Sequence, residues 1–357
     1  MMQTYHRQPP VTGNRNSRGF SIVELMVAML ISLILLGGIA QIFMSSKKSF
    51  TIQNTLGRQQ ENGRYSIDTL AQDLRRAGYY GGNVDNNPGT TLDFSEVAGT
   101  LGKQDEDFTC PTGNTNWGRM LDVRIHGLND TAAGYACVND GNGYLRGDVL
   151  VLHFMAPWFV GGTTSPCSST PCNLSADYPT RVFLRTDMVN ARIFQGSNYL
   201  DAANDLGGSP SERVAELLAR AYYIGPSGTP APSCTGGQAV PSLYRENLNG
   251  SGAPVAQEIA YGVENFQIRY GIDADGDDVV DQYLDANDAP LNAAAVADRI
   301  DAWNQIIAAR IWVLTRAECP ETGFTNTATY TMGDVDYAVN DGYRRQLYQS
   351  TVRLRNR

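Results

Sequence analysis

The longest uniform pattern in the sequence is an uncharged apolar run from Leu25 to Met44. Twenty residues at ~1.5 Å each make a helix about 30 Å long, which matches the hydrocarbon core of a bilayer. The residues before Phe20 carry three arginines and no Asp or Glu. The pattern therefore predicts a short basic leader followed by a helix that can cross a membrane.

The helical pattern continues beyond the apolar run. An apolar face recurs at spacings of three and four residues, through Gly63, Ile67, Leu70, Leu74 and Ala77. Two arginines, Arg75 and Arg76, then precede Gly78, an order typical of a helix C-terminus. We expect one helix from about residue 20 to residue 77, with its first half in lipid and its second half packed on a folded body.

From Tyr79 onward, turn-forming residues alternate with short apolar segments. We predict strands in seven of these segments: Leu121–His126, Asp148–Phe154, Arg181–Thr186, Ser242–Glu246, Val263–Tyr270, Ile306–Thr315 and Tyr343–Leu354. Arg213–Ile224 fits either a helix or a strand. Because strands and helices do not alternate along the chain, a doubly wound fold is disfavoured. The predicted fold class is α+β, with a long N-terminal helix packed on a mainly antiparallel β-sheet body.

Glu24 is the one formal charge between Phe20 and Ser46. A carboxylate at mid-bilayer costs about 2.5–3.5 kcal/mol on insertion scales, and less near an interface. Such a group needs a partner or a function. Its segment, residues 19–25 (Gly-Phe-Ser-Ile-Val-Glu-Leu), resembles the leader signal of type IV prepilins and type II secretion pseudopilins.

This resemblance implies a processing site and an assembly residue. A prepilin peptidase would cut between Gly19 and Phe20 and methylate the new N-terminus, and Glu24 would become the fifth mature residue. The family uses that glutamate to receive the amine of a neighbouring subunit. An ordinary secretory signal would instead place small residues after the apolar core, where Gly37–Ala40 is a poor match. A plain membrane anchor leaves the spacing of Gly19 and Glu24 unexplained.

Three later segments narrow the family. Glu258–Tyr270, Ala309–Leu314 and Asp341–Tyr348 resemble PilW-type minor pilins and their pseudopilin relatives of the GspJ kind. The resemblance implies a minor pilin that helps to start type IV pilus assembly in a tip complex. The implied partners are other minor and major pilins, the prepilin peptidase and the inner-membrane assembly platform. A type II secretion pseudopilin, or a membrane-anchored calcium-dependent adhesin or enzyme, stays open as an alternative, and residues 83–210 align with nothing.

The same resemblance implies four regions and two locations. Residues 1–19 are the leader, 20–46 the transmembrane and assembly half of the helix, 47–78 the half that packs on the body, and 79–357 a β-rich domain. The body would lie in the periplasm before assembly and outside the cell in the pilus afterwards.

Loss of the three leader arginines changes the formal net charge from −9 to −12, which argues against general nucleic-acid binding.

Six cysteines follow the apolar run, an even number that suits disulfides in an oxidising compartment. They are Cys110, Cys137, Cys167, Cys172, Cys234 and Cys319. All fifteen pairings are open in principle, and the four-residue loop between Cys167 and Cys172 favours a local bridge. Zinc binding is the disfavoured alternative, since no C-x-x-C spacing is present.

The segment from Asp273 to Asp281 holds five aspartates, most of them at alternating positions. Ca²⁺ prefers six to eight oxygen ligands, and we predict a short calcium loop held by Asp273, Asp275, Asp277 and Asp281. It is not a standard EF-hand, because Gly276 comes two places early and the twelfth position is Leu284. The alternative is a solvated acidic turn whose charges are screened by salt.

Catalytic motifs are not found in the sequence. His126 and His153 lie in predicted strands, away from any metal spacing or nucleophile motif. We interpret both as structural histidines and expect no enzymatic activity. The apolar segment around Trp158 is either an exposed binding patch or, in our interpretation, part of the core.

Overall fold

The computed structural model describes residue 19 and residues 21–81, 123–132, 138, 143–160, 173–179, 181–187, 191–199, 212–247 and 255–356. The chain divides into two compact units, Met1–Asn54 and Thr55–Arg357. We call the second unit the body. Each unit is described separately below.

The first unit holds the whole apolar run from Leu25 to Met44. Helix α1 extends from Ile22 to Arg76, so its first part lies in this unit and its last residues belong to the body. Every residue from Ser21 to Thr51 is exposed. By length and composition, α1 is the one helix among the described residues that could cross a membrane. The predicted long helix is thus confirmed.

Besides the end of α1, the described residues of the body form two short α-helices and thirteen strands. The helices are α2 (Leu174–Asp177) and α3 (Val296–Asn304). The strands are β1 (Ile125–Leu128), β2 (Arg146–Met155), β3 (Val182–Thr186), β4 (Ala191–Gln195), β5 (Arg213–Pro226), β6 (Pro241–Asn247), β7 (Val255–Tyr261), β8 (Val263–Ile272), β9 (Gln282–Leu284), β10 (Ile306–Arg316), β11 (Thr329–Met332), β12 (Val335–Ala338) and β13 (Arg345–Arg353).

These strands form three antiparallel sheets. A seven-stranded sheet has the order β1-β2-β5-β3-β4, with β6 paired to β5 and β7 to β6. A four-stranded sheet has the order β13-β10-β8-β9, and β11 and β12 form a separate hairpin. Every described strand pairing is antiparallel. The predicted α+β class, a long helix with a mainly antiparallel body, is confirmed.

One main hydrophobic core joins the end of α1 to both large sheets. Leu70 and Leu74 of α1 are fully buried in the same cluster as Leu150 of β2 and Phe266 of β8. Burial of each such side chain stabilises the fold by about 1.5–3 kcal/mol before conformational entropy is counted. The i, i+4 spacing of the two leucines therefore fixes the face of α1 that packs on the body.

The ambiguous segment Arg213–Ile224 is a strand. In β5, Tyr222 belongs to the main core and Tyr223 to a second cluster on the opposite face. A strand that is buried on both faces shows no apolar–polar alternation, so its pattern resembles a buried helix. This explains why the sequence left two interpretations open.

The other predicted strands agree with the structure within a few residues, apart from the first. Leu121–His126 lies partly outside the described residues, and β1 begins at Ile125. The sequence analysis did not predict the helices α2 and α3 or the short or charged strands β4, β7, β9, β11 and β12. Strands of three to five residues carry too few positions to show a period.

Candidate functional site

The predicted processing and assembly residues lie at the start of α1. Gly19 is exposed, whereas Phe20 lies outside the described residues. Glu24 is exposed in the first turn of the helix, where Leu25 N–H donates to the carbonyl of Ser21 at 3.0 Å. A carboxylate is favoured near the N-terminal end of a helix dipole. Within the described part of the chain the Glu24 side chain has no hydrogen bond or ion pair, so its carboxylate is available to another molecule.

The surface around Glu24 is apolar on all sides of the helix. Large exposed side chains include Leu25, Met26, Leu30, Leu33, Leu36, Ile39 and Phe43. A helix that is apolar all round must be covered by lipid or by other helices. The Glu24 carboxylate can therefore pair with a cationic group of another molecule in apolar surroundings.

Asp73 anchors the end of α1 to the body. Its side chain is buried, and its Oδ2 accepts hydrogen bonds from Arg220 Nη1 at 2.6 Å and Tyr222 Oη at 2.5 Å. Its Oδ1 lies 3.4 Å from Arg76 Nη1, and Arg245 Nη1 lies 4.0 Å from Oδ2. Burial and the adjacent carboxylate raise the pKa of Tyr222, so its hydroxyl remains a donor. Charge-assisted bonds of this kind are about twice as strong as neutral ones.

Gly63 of α1 packs directly against Tyr348 of β13. A Cβ at this position would overlap the ring of Tyr348, so a larger residue cannot fit without displacing that ring. The Tyr348 hydroxyl donates to the carbonyl of Gln59 at 3.3 Å. The sequence placed Gly63 on the apolar face correctly but gave no sign of the aromatic ring packed against it.

Side-chain amides hold the part of α1 that belongs to the body. Gln59 Nε2 donates to the carbonyl of Arg344 at 2.8 Å, and Asn62 Nδ2 donates to the carbonyl of Tyr261 at 2.7 Å. At the C-terminus, Asn356 Nδ2 lies 3.2–3.4 Å from three carbonyl oxygens, those of Arg75, Arg76 and Ala77. The Asn356 amide thus donates to carbonyl oxygens that have no partner within the helix.

The two histidines are packed inside the body. His126 and His153 are both buried, with ring centroids 5.6 Å apart, and His153 Nδ1 lies 2.5 Å from the carbonyl oxygen of Val123. Burial lowers the pKa of His153 to about 4, and burial followed by the neighbouring His153 lowers the pKa of His126 well below its usual range. The His126 ring also meets the Trp303 ring edge to face at 6.4 Å, so both histidines are packed among aromatic side chains of the core.

The depressed pKa of His153 predicts that the body loses stability in acid. Its pKa in the unfolded chain is about 6.5, so the stabilisation is complete above that pH and is lost as the pH falls toward 4. At about pH 4.5 the loss attributable to His153 is on the order of 2–3 kcal/mol. Urea unfolding of the body at about pH 7 and about pH 4.5 measures this change.

The variant His153→Gln supplies the control, because glutamine does not titrate. Buried Asp148, whose pKa is raised by burial, changes stability in the opposite direction in both proteins. The difference between the two proteins in the pH dependence of the free energy of unfolding therefore gives the contribution of His153. Equal losses of stability in the two proteins would show that His153 is protonated in the fold.

Three of the four predicted calcium ligands come together. Carboxylate oxygens of Asp273, Asp275 and Asp281 lie within 4.8 Å of one another, and Asp277 is outside this group. Asp273 is buried, whereas the other three are exposed. Hard carboxylate oxygens at this spacing fit a divalent cation that completes its shell with water and backbone carbonyls.

Backbone N–H groups of the loop also donate hydrogen bonds to these carboxylates. Asp273 Oδ1 accepts from Gly276 N–H at 2.8 Å, and its Oδ2 accepts from Asp278 N–H at 3.0 Å. Asp285, one place beyond an EF-hand's last ligand, is held by two 2.7 Å bonds from Arg269 and cannot serve the loop. The amide contacts also explain a turn without a cation, so the calcium site stays a prediction.

Calcium binding should raise the melting temperature of the body. A cation at about 100 times its Kd stabilises a fold by about 2.7 kcal/mol, which corresponds to several degrees. Scanning calorimetry with millimolar CaCl₂, with MgCl₂ and with chelator tests this, and Asp275→Asn with Asp281→Asn is the matched control. An unchanged melt at millimolar Ca²⁺ would contradict the prediction.

One disulfide lies in the described part of the chain. It joins Cys234, in the loop between β5 and β6, to Cys319, which follows β10. Both were predicted as disulfide candidates with the pairing open, and the bridge closes a separation of 85 residues. The favoured pair Cys167–Cys172, together with Cys110 and Cys137, lies outside the described residues.

Trp158 packs on the core, in agreement with our interpretation. Its ring meets Phe183 edge to face at 6.3 Å, while the neighbouring Phe159 is exposed and lies under the guanidinium of Arg213 at 5.3 Å.

Comparison with known proteins gives two family matches. The model described as Type IV Pilus-assembly protein W matches residues 221–356, and the model described as Prokaryotic N-terminal methylation motif matches residues 14–40. Neither description is that of an enzyme. No curated protein gives a significant match. Among solved structures, a type IV-like pilin from Thermus thermophilus is 15% identical over 58% of this chain and 78% of its own, with a TM-score of 0.25.

The two matches cover different parts of the molecule. The methylation motif includes Gly19 and Glu24, and the second match begins inside β5 and reaches the end of β13. The similarity thus extends to the start of α1 and to the C-terminal strands of the body, the same two regions in which the sequence showed resemblances.

Proposed function

Since this chain matches a PilW family model over residues 221–356 and a prokaryotic N-terminal methylation motif over residues 14–40, we propose that it is a PilW-type minor pilin that helps to start assembly of a type IV pilus. The observation that carries the proposal is the presence of both family matches in one chain. The methylation motif alone is shared by pilins and pseudopilins, whereas the match over residues 221–356 is to a pilus-assembly protein.

The first step of the proposed pathway is processing in the inner membrane. A prepilin peptidase cuts between Gly19 and Phe20 and methylates the new amine, while the body lies in the periplasm. The motif over residues 14–40 and the exposed apolar surface of α1 support this step. The mature subunit then leaves the membrane for the pilus.

The second step is lateral assembly. The apolar surface of α1 packs against the helices of other pilins at the assembly platform, and Glu24 receives the amine of a neighbouring subunit. Removal of both charges from water is costly unless they pair. The unpaired carboxylate of Glu24 within the described chain supports this role.

The size of the body supports a position at the pilus tip. It extends from Thr55 to Arg357, and a body of that size is accommodated more easily at the end of a filament than along its shaft. We therefore place the subunit in a priming complex with other minor pilins. The complex would begin the filament that the major pilin extends.

Deletion of the gene in a piliated host tests this function. We expect the number of surface pili, counted by electron microscopy, to fall sharply, because filaments that are not started cannot be extended. Expression of the chain from a plasmid should restore them. Normal pili together with loss of protein secretion would contradict the proposal and support the pseudopilin alternative.

A further inference from the structure

Three arginines surround the buried carboxylate of Asp73. We call Arg76, Arg220 and Arg245 the arginine cluster. All three lie within 4.0 Å of an Asp73 oxygen, so three positive charges face one negative charge. Counted over the residues that the structure describes, the cluster therefore carries an excess of two positive charges, although the chain as a whole has a formal net charge of −9.

The remaining partners of the cluster are neutral. Arg220 Nε donates to Asn247 Oδ1 at 3.3 Å, and Arg245 Nη2 donates to Gln257 Oε1 at 2.7 Å. Arg245 Nε is buried and has no hydrogen-bond partner. Within the described part of the chain, no second carboxylate contacts the cluster.

The cluster is accessible to a second molecule. The side chain of Arg76 is 42% exposed, and those of Arg220 and Arg245 are 16% and 19% exposed. Such partly buried charges are screened less by salt than fully exposed ones. Guanidinium groups also offer paired N–H donors that match the two oxygens of a carboxylate.

We propose that the arginine cluster binds an Asp or Glu side chain of a neighbouring pilin subunit. The inference rests on the proposed function, because that function supplies pilins as neighbours. The incoming carboxylate balances part of the excess charge and takes up donors that Asp73 leaves unused. Arg76 lies in the last turn of α1, so the contact would tie the far end of this helix to the next body.

Charge reversal at two adjacent arginines tests the contact in the full-length chain. Arg75 and Arg76 share the last turn of α1, so Arg75→Glu and Arg76→Glu have similar effects on the helix dipole. We expect Arg76→Glu to reduce this subunit in sheared pili by about tenfold, and Arg75→Glu to change it by less than about twofold. Arg76→Lys, which keeps the charge, should assemble normally.

Cross-linking identifies the partner directly. A water-soluble carbodiimide joins a lysine amine to a carboxylate in contact with it, so Arg76→Lys turns the cluster into a cross-linking site. In piliated cells we expect an adduct between the position-76 peptide and an acidic peptide of another pilin, with at least about threefold less adduct from Arg75→Lys. Adducts restricted to Asp73 of the same chain would overturn the inference.

Two further results separate the alternatives. If the gene deletion removes pili but Arg76→Glu and Arg76→Gln assemble normally, the inference fails and the proposed function stands. If Arg76→Gln abolishes binding of the purified protein to phosphatidylglycerol vesicles while pili form normally, the cluster binds a lipid headgroup and the inference is wrong. Unfolding curves of all variants in urea show whether any loss comes from the fold.

Discussion

Replacing Glu24 by Gln or Ala should remove this subunit from the pilus. The substitution leaves a neighbour's amine unpaired in an apolar environment, and breaking a buried ion pair costs about 3–5 kcal/mol. Since each 1.4 kcal/mol is about a tenfold change in an equilibrium constant, incorporation should fall by about a hundredfold or more. Immunoblotting of sheared pili, normalised to the membrane pool of the protein, measures the change.

The Gln variant also separates assembly from membrane insertion. A neutral amide enters the bilayer more easily than a carboxylate, so a loss of assembly in Glu24→Gln does not come from poor insertion. Glu61→Gln is the matched control, because Glu61 is exposed on the same helix beyond the apolar run. Normal incorporation of the Glu24→Gln variant into pili would contradict the role that we assign to this carboxylate.

Replacing Asp73 by Ala should destabilise the body by about 3 kcal/mol, at the lower end of the range for breaking a buried ion pair. The variant leaves Arg220 and the buried hydroxyl of Tyr222 without their shared acceptor. The arginines are partly exposed, so water recovers some of the loss. Urea unfolding of the body gives the change in the free energy of unfolding.

Asp68→Ala provides the comparison on the same helix. Asp68 is exposed, and surface substitutions of this kind change stability by about 0.5 kcal/mol or less. If the two variants unfold at the same urea concentration, Asp73 does not anchor α1. A larger loss for Asp73→Ala would confirm that one carboxylate connects the helix to β5.

Features that depend on neighbouring residues were predictable from the sequence. The apolar run, Glu24 and the glycine after Arg76 identify the helix and its end, because each signal lies within a few positions of the structure that it specifies. The aspartates of the acidic loop likewise come together at three of four positions, since adjacent residues in a turn must be close in space. These signals needed no knowledge of the tertiary fold.

Features that depend on residues far apart in the sequence could not be predicted. Arg220 and Tyr222 follow Asp73 by 147 and 149 residues, and no local pattern indicates that they will share its carboxylate. One weak signal was present: Asp73 interrupts an apolar helix face between Leu70 and Leu74. A charge at such a position predicts a buried partner, but it does not say where in the chain that partner lies.

The most direct test of the account is mass spectrometry of the N-terminus of this protein, purified from its native membrane. Processing by a prepilin peptidase predicts a chain that begins at Phe20 with a methylated amine and has Glu24 as its fifth residue. A chain that still carries residues 1–19, or one that was cut after the apolar run, would contradict it.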